Sequence, residues 1–319
     1  MMHSKKFLAC IAALLCWSSA SLAAGPLSTG PIKLVVSTPA GGTSDTIARV
    51  LAEKLQSRTG HPVVVENKVG ASGTIGANHV AQAAPDGHTL FLATGSTQVV
   101  APLLMENIAY DPVRDFTPIV LIGKAPFVLY SSSQVPVKSL GELVDYAKKS
   151  PAPLNFGTTG LATIYEVAAL VLENQAGLQF THVPYKGLAP MAIDISAGRV
   201  DLSVGPIGGY LNTDKINVLA ALGKTRAARL PNVPSAAEAG YPEFNVPVWA
   251  AIFGPTGIPH NTANYLSETL QSVLQDPAVV KAIEDTGVEV EVGNADTLAK
   301  VVRDDLALVS SIIKKSRSQ

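Results

Sequence analysis

The sequence predicts an α/β protein built as two lobes that face one cleft. Three observations carry this expectation. First, a β-prone run from Ile32 to Val36 passes through Pro39, Gly41 and Gly42 into a helical pattern, and a second β-prone run, Pro62 to Glu66, follows. That β-α-β order implies a parallel sheet with a right-handed crossover. Second, glycine joints carrying Ser or Thr recur after successive strands, and in an open parallel sheet such joints gather at the carboxyl edge, where ligands bind. Third, a second glycine-rich α/β series begins beyond a turn-rich interruption, Tyr110 to Pro118, so two lobes are expected around one cleft.

At 319 residues, 47% hydrophobic and 15% charged, the chain is long and apolar enough to pack a core in each lobe. Its first segment is not part of either. Lys5 and Lys6 precede an apolar run, Phe7 to Trp17, then small residues ending in Ser21-Leu22-Ala23. This reads as a secretory signal peptide, residues 1–23, because the run is far shorter than the roughly 20 apolar residues of a membrane span. Both cysteines, Cys10 and Cys16, lie inside it. The processed chain therefore has no thiol, which excludes a disulfide, a thiolate nucleophile and a Cys-ligated metal. Leu15 before Cys16 is too large for a lipoprotein processing site. The formal net charge of −1 becomes more negative once Lys5 and Lys6 are removed, which argues against nucleic acid or a membrane surface as partner.

Gly25 to Pro31 reads as a linker, and the strand Ile32–Val36 follows. Ser44 or Asp45 can cap the next helix, whose apolar positions Ile47, Ala48, Leu51 and Leu55 recur at helical spacing until Gly60. After Pro62 to Glu66 comes the joint Gly70 to Gly76, a helix through Ala77 to Ala84, the turn Pro85-Asp86-Gly87, the strand His88 to Ala93 and the joint Thr94 to Thr97. β-prone runs at 119–122 and 127–131 lead into the second series. This holds a helix over 139–149, strand 154–156, joint Gly157 to Gly160, a long helix to Ala176, strand 182–184 and a helix over 189–197. Strand 202–204, the joint Gly205 to Gly209 (Gly-Pro-Ile-Gly-Gly) and strand 218–222 complete it. A short capped helix is expected in 232–240 and a strand over 246–253. Helices over 261–275, 277–286 and 295–315 surround a brief strand 288–292, and the two later helices are expected to pack back on the first lobe. The resulting division is 31–127 plus 250–319 for lobe 1 and 128–249 for lobe 2.

Enzyme signatures fail on spacing. Gly223-Lys224-Thr225 would end a phosphate-binding loop, but position 218 is Val rather than Gly. Gly70, Gly73 and Gly76 do not have dinucleotide-fingerprint spacing, and no G-x-S-x-G elbow occurs. His61, His79, His88, His182 and His260 are scattered without metal-ligand spacing, and His182 reads as a structural group. Lys186 and Arg49 each read either as salt-bridge residues or as ligand contacts, and Asp45 either as a helix cap or as a partner for a ligand ammonium. The strand-glycine-helix joint at Ile32 to Arg49 presents free backbone N–H groups at the positive end of a helix dipole, an anion site that needs no Lys or Arg.

The runs IKLVVSTPAGGTSDTIARVLAEKL, HPVVVENKVGASGTIGANHVAQAAPDGHTL, AYDPVRDFTPI, VPYKGLAP and LPNVPSAAEAG, in this order from Ile32 onward, resemble the periplasmic substrate-binding proteins of tripartite tricarboxylate transporters, the Bug receptors. The resemblance implies a type II periplasmic-binding-protein fold, α/β, with a Venus-flytrap cleft. It also implies a periplasmic location, no enzymatic activity, no cofactor and no metal. A monomer would deliver a small carboxylate to membrane permease subunits. The carboxylate would be held by Ala40, Gly41, Gly42, Thr43, Ser44 and Asp45 in the opening loop, by Gly73, Thr74 and Ser96 after the next two strands, and by Thr158, Gly160, Ala162 and Thr163 in lobe 2. Two departures stand out. Where the family commonly has G-x-G-T or G-x-G-S and then His, this chain has Gly160-Leu161-Ala162-Thr163 and Glu166, and Gly205-Pro206 replace the usual acidic and amide residues. Contacts to the far end of the ligand are therefore expected to differ from the family's usual ones. Two other functions remain open at this point: a sensory adaptor docking on a membrane sensor, and a secreted enzyme acting on an anionic substrate.

Overall fold

The computed structural model describes residues 27–317 apart from 161, 209, 210, 212 and 247, so the expected signal peptide lies outside the described residues. Two sheets organise the described chain. The first contains β1 (Ile32–Val36), β2 (Val63–Asn67), β3 (Thr89–Thr94), β4 (Phe116–Lys124), β10 (Trp249–Pro255) and β11 (Glu289–Gly293), in the order β11-β4-β10-β3-β1-β2. The second contains β5 (Phe127–Ser132), β6 (Leu154–Thr158), β7 (Phe180–Pro184), β8 (Leu202–Pro206) and β9 (Ile216–Ala221), in the order β7-β6-β8-β5-β9. Each sheet has a parallel part, β2-β1-β3 and β7-β6-β8. Each is completed by antiparallel strands that adjoin the two points where the chain passes between sheets.

The parallel strands are apolar because helices cover both faces. In β1, Ile32, Leu34, Val35 and Val36 are all buried. The helix Thr43–Thr59 covers one face with Ile47, Ala48, Leu51 and Leu55, and the helices His260–Val273 and Pro277–Glu284 pack beside it. A second apolar cluster on the other face runs without a break from Phe91 and Phe253 through Trp249 to Phe156, Leu172 and Val309, joining the two sheets.

Several elements differ from expectation for identifiable reasons. The turn-rich segment before 118 ends earlier, since β4 already begins at Phe116. Pro118 fits inside the strand because the β4–β10 ladder shifts register there, where a bulge removes the need for its missing N–H. Gly205 and Pro206, the first two residues of the expected joint, instead end β8, opposite Val128 and Phe127. No helix forms over 232–240. The Ser235 and Glu238 capping bonds are present, with Ser235 N donating to Glu238 Oε2 at 2.7 Å and Glu238 N to Ser235 Oγ at 3.1 Å. They close a turn instead, because Ala236 N bonds Ala221 O and ties the segment to the end of β9. Leu27 is buried against the molecule, and Ser28 Oγ lies 2.9 Å from His88 Nε2, so this part of the expected linker is docked. The last helix, Ala295–Arg317, packs on β4 and also on the helix Ile164–Ala176, bridging toward the second sheet rather than serving the first alone.

Strand β11 lies so close to β4 that a Cβ on Gly123 would come 2.1 Å from Glu289 O. Gly123→Ala is therefore expected to push the C-terminal strand off the sheet and cost about 1–3 kcal/mol. Urea unfolding should show the midpoint fall, and an unchanged midpoint would rule out the close approach.

Candidate functional site

Strand β1 is central in the parallel part of its sheet, so the joint that follows it lies between those after β2 and β3. Gly73 holds the three together. It has φ +90°, and a Cβ there would meet Thr97 Cγ2 at 2.6 Å and Ser37 Oγ at 2.9 Å. The preceding Ala71 and Ser72 also adopt left-handed φ, 45° and 54°, a costly arrangement for residues with side chains that is held by the packing around it. After β3, Thr97 Oγ1 ties back to both N and O of Thr94, at 3.2 and 3.0 Å, and Tyr110 Oη donates to Thr97 O at 2.6 Å.

These joints form one wall of a cavity of about 610 Å³, lined on this side by Ser37, Thr43, Ser44, Gly73 and Ser96. The other walls include Thr159, Thr163, Ile164, Tyr165 and Lys186 from the chain around the second sheet. Phe127, Val248 and Trp249, at the passages between the sheets, complete them. Lys186 is the only charged lining residue among the described residues, and it has no ion-pair or hydrogen-bond partner there. The hydroxyls of Thr43, Ser44, Ser96 and Thr159 likewise have no partner among the described residues, and Thr38 Oγ1 is buried without one.

Two helices begin at this cavity, and both begin the same way. Helix Thr43–Thr59 has Gly42 at its cap, without a side-chain bond, and Asp45 in the third helical position reaches back so that Gly41 N donates to Asp45 Oδ2 at 2.9 Å. Helix Ile164–Ala176 has Thr163 at its cap, and Glu166 in the equivalent position accepts from Ala162 N at 2.6 Å. In each case the carboxylate holds the N–H of the residue just before the cap, one position beyond the N–H that a capping box would bind. The first three N–H groups of each helix, those of Thr43, Ser44 and Asp45 and of Ile164, Tyr165 and Glu166, have no acceptor among the described residues.

The two starts differ electrostatically. Asp45 is buried and is gripped by Arg49 through Nε at 2.8 Å and Nη2 at 3.0 Å, while Asn67 Nδ2 donates to it at 2.9 Å. The Arg49 bond holds its pKa far below the usual carboxylate range, against the opposing effect of burial. Its charge is therefore matched, and the dipole of this helix remains available to an anion. Glu166 has no Lys or Arg partner among the described residues, so its charge offsets the dipole of the second helix.

Among the described residues, no group of three or more His, Cys, Asp or Glu could hold a metal ion, and no helix is long and apolar enough to cross a membrane. The family model for the tripartite tricarboxylate transporter family receptor matches residues 47–317. The chain belongs to that receptor family. Protein BugT of Bordetella pertussis is 30% identical over 302 residues, covering 93% of each chain. The R. palustris protein Rpa4515 with adipate is similar in structure, at TM-score 0.80 and 30% identity over 90% of this chain and 97% of that one. So is MatC from Rhodopseudomonas palustris with bound malate, at TM-score 0.77 and 30% identity over 89% and 98%. The receptor thus has the two-lobe solute-binding fold of these proteins.

Of the residues singled out from the receptor's sequence, Thr43, Ser44, Gly73, Ser96 and Thr163 line the cavity. The remaining eight do not. Ala40 is exposed outside it. Gly41 N is occupied by Asp45, and Gly42 N bonds Pro39 O at 3.3 Å. Asp45 faces Arg49 and Asn67, not the cavity, so it supports the joint rather than meeting a ligand ammonium. Thr74 Oγ1 closes its own turn onto Ala71 O at 2.8 Å, Thr158 is buried in β6, Gly160 O accepts from Thr163 Oγ1 at 2.9 Å, and Ala162 N is held by Glu166. His182 lies 3.3 Å from Glu173, whose hydrogen bond raises its pKa, a structural pairing away from the cavity. The aromatic lining residues Phe127, Tyr165 and Trp249 carried no local signal, since nothing in a β-prone run says which strand end faces a cleft.

Because the folded-state pKa of Asp45 is depressed, its contribution to stability is present above the unfolded carboxyl value near 3.9 and is lost as pH falls below it. Asp45→Asn should lower stability at pH 7 by about 2 kcal/mol, through the charged bonds to Arg49 and the Gly41 cap. It should also flatten the decline between about pH 5 and pH 2. Urea unfolding across that range checks both, and a variant with the wild-type acid profile would contradict the role given to Asp45.

Proposed function

We propose that the chain is a periplasmic solute receptor that captures a small organic acid between two lobes and delivers it to a tripartite tricarboxylate-type membrane transporter. In this reading residues 1–23 direct export and are removed, and residues 31–127 with 250–319 close against 128–249. The observation that carries the reading is the wall formed by the start of helix Thr43–Thr59. Three unpaired N–H groups, the free hydroxyls of Thr43, Ser44 and Ser96, and a charge-matched Asp45–Arg49 pair together give a desolvated carboxylate donors without a competing anion. Membership of the receptor family, and the adipate and malate held by two relatives of the same fold, support the carboxylate as the recognised group.

Charge-assisted bonds from N–H groups are about twice as strong as neutral ones, and closing the lobes removes the water that would compete for them. The helix dipole adds only about 0.3–2 kcal/mol, enough to orient a carboxylate but not to select one acid over another. Selection falls to the other walls.

A carboxylic acid at a hundredfold its Kd should add about 2.7 kcal/mol of stability and raise Tm in a thermal-shift screen. Thr43→Phe, at an exposed position on the cavity wall, should abolish that shift while leaving the Tm of the unliganded protein within a few degrees of wild type. A full ligand-induced shift in this variant would overturn the placement of the carboxylate.

A further inference from the structure

The cavity walls away from the helix start are built for a different chemistry than a second carboxylate. Phe127 and Tyr165 stand with ring centroids 5.5 Å apart and planes 58° from one another. Trp249 joins them, and its only polar atom is turned away: Nε1 donates to Asp305 Oδ2 at 2.8 Å, on the side of a separate cavity behind the wall. Trp249 thus presents only its ring surface to the front cavity. Ile164, Val248 and Val288 also line the cavity.

Charge follows the same division. Among the described residues no Arg, His, Asn or Gln lines this cavity, so the planar fork that grips a carboxylate in two places is missing from it. The cation on this side, Lys186, has no ion-pair partner among the described residues, and Glu166, at the start of helix Ile164–Ala176, has no cationic one. That helix start therefore does not mirror the one at Thr43. A second carboxylate at that helix start would meet the charge of Glu166 and would have the single cation Lys186, without an Arg fork, to hold it.

We infer that the ligand is a monocarboxylic acid carried on an aromatic ring, with its carboxylate at the start of helix Thr43–Thr59 and its ring against Phe127, Tyr165 and Trp249. This rests on the carboxylate-receptor reading and narrows it. Aromatic pairs prefer offset or edge-to-face geometry, and the tilted Phe127 and Tyr165 rings offer a face and an edge to a third ring entering between the lobes. The acids in two relatives, adipate and malate, carry two carboxylates on aliphatic chains, whereas in this chain Pro206, one of the departures from the family pattern, lines the cavity from the second sheet.

Isothermal titration calorimetry of the full processed chain with benzoate, phenylacetate, hexanoate, adipate and malate tests this. At least one of the two aromatic acids should bind ten or more times tighter than hexanoate, adipate and malate. Phe127→Ala should weaken that aromatic acid at least tenfold. Tyr165→Leu, which keeps bulk and apolarity but removes the ring, should weaken it at least threefold with an unchanged far-UV spectrum, so the test survives if Phe127→Ala fails to fold. Tighter binding of adipate, malate or hexanoate than of either aromatic acid would overturn the inference while leaving the carboxylate receptor intact, as would wild-type affinity in Tyr165→Leu. Failure of all five acids to bind would overturn both.

Discussion

The Asp45 carboxylate is the contact on which the rest of the site depends. It is buried in a position where a free carboxylate would be strongly destabilised, and it is tolerated because each oxygen is occupied. Oδ2 takes Gly41 N and Arg49 Nε, and Oδ1 takes Arg49 Nη2 and Asn67 Nδ2. Asn67, the last residue of β2, also donates to Thr38 O at 3.0 Å. One side chain therefore fixes the loop after β1, the first turn of the helix and the end of the neighbouring strand to one another. With that corner rigid, Ser37 meets Gly73, Gly73 meets Thr97, and the three joints become a single surface.

The same device recurs at Ala162–Glu166, where Ala162 adopts a left-handed φ of 54° and its N–H is held by the carboxylate three positions into the helix. Two helix starts with the same backbone arrangement begin at one cavity, yet they differ in charge: Arg49 pairs with the first acid, and among the described residues no Lys or Arg pairs with the second. A fold with near-symmetric halves gains polarity from that difference.

Much of this was legible in the residues. The β-α-β runs, the positions of the helix Thr43–Thr59 and its end at Gly60, the glycine joints and the two-part chain order all follow from periodicity and turn chemistry, which are local. The misses share a cause that is not local. Pro118 looked like the end of a turn but sits at a bulge created by β10, more than 130 residues later. Ser235 and Glu238 look like a helix cap, and are, in bonding, but Ala221 captures the backbone first. Asp45 reads as cap or ligand contact because both roles use the same residue in the same place; only Arg49 and Asn67 beside it separate them. The aromatic wall was invisible because Phe127 and Trp249 lie at the two passages between sheets, positions defined by topology alone.

Trp249 also has an optical consequence. The sequence contains two tryptophans, Trp17 and Trp249, so a chain beginning at Ala24 has one. That indole sits in a partition between two cavities of about 610 and 450 Å³, with its ring toward one and its N–H hydrogen bond to Asp305 toward the other. Its emission colour is set by the polarity at a single wall, and excitation at the red edge of its absorption avoids the tyrosines. A chain without residues 1–23 would therefore carry an intrinsic, label-free probe of its own cleft, with no background from a second indole.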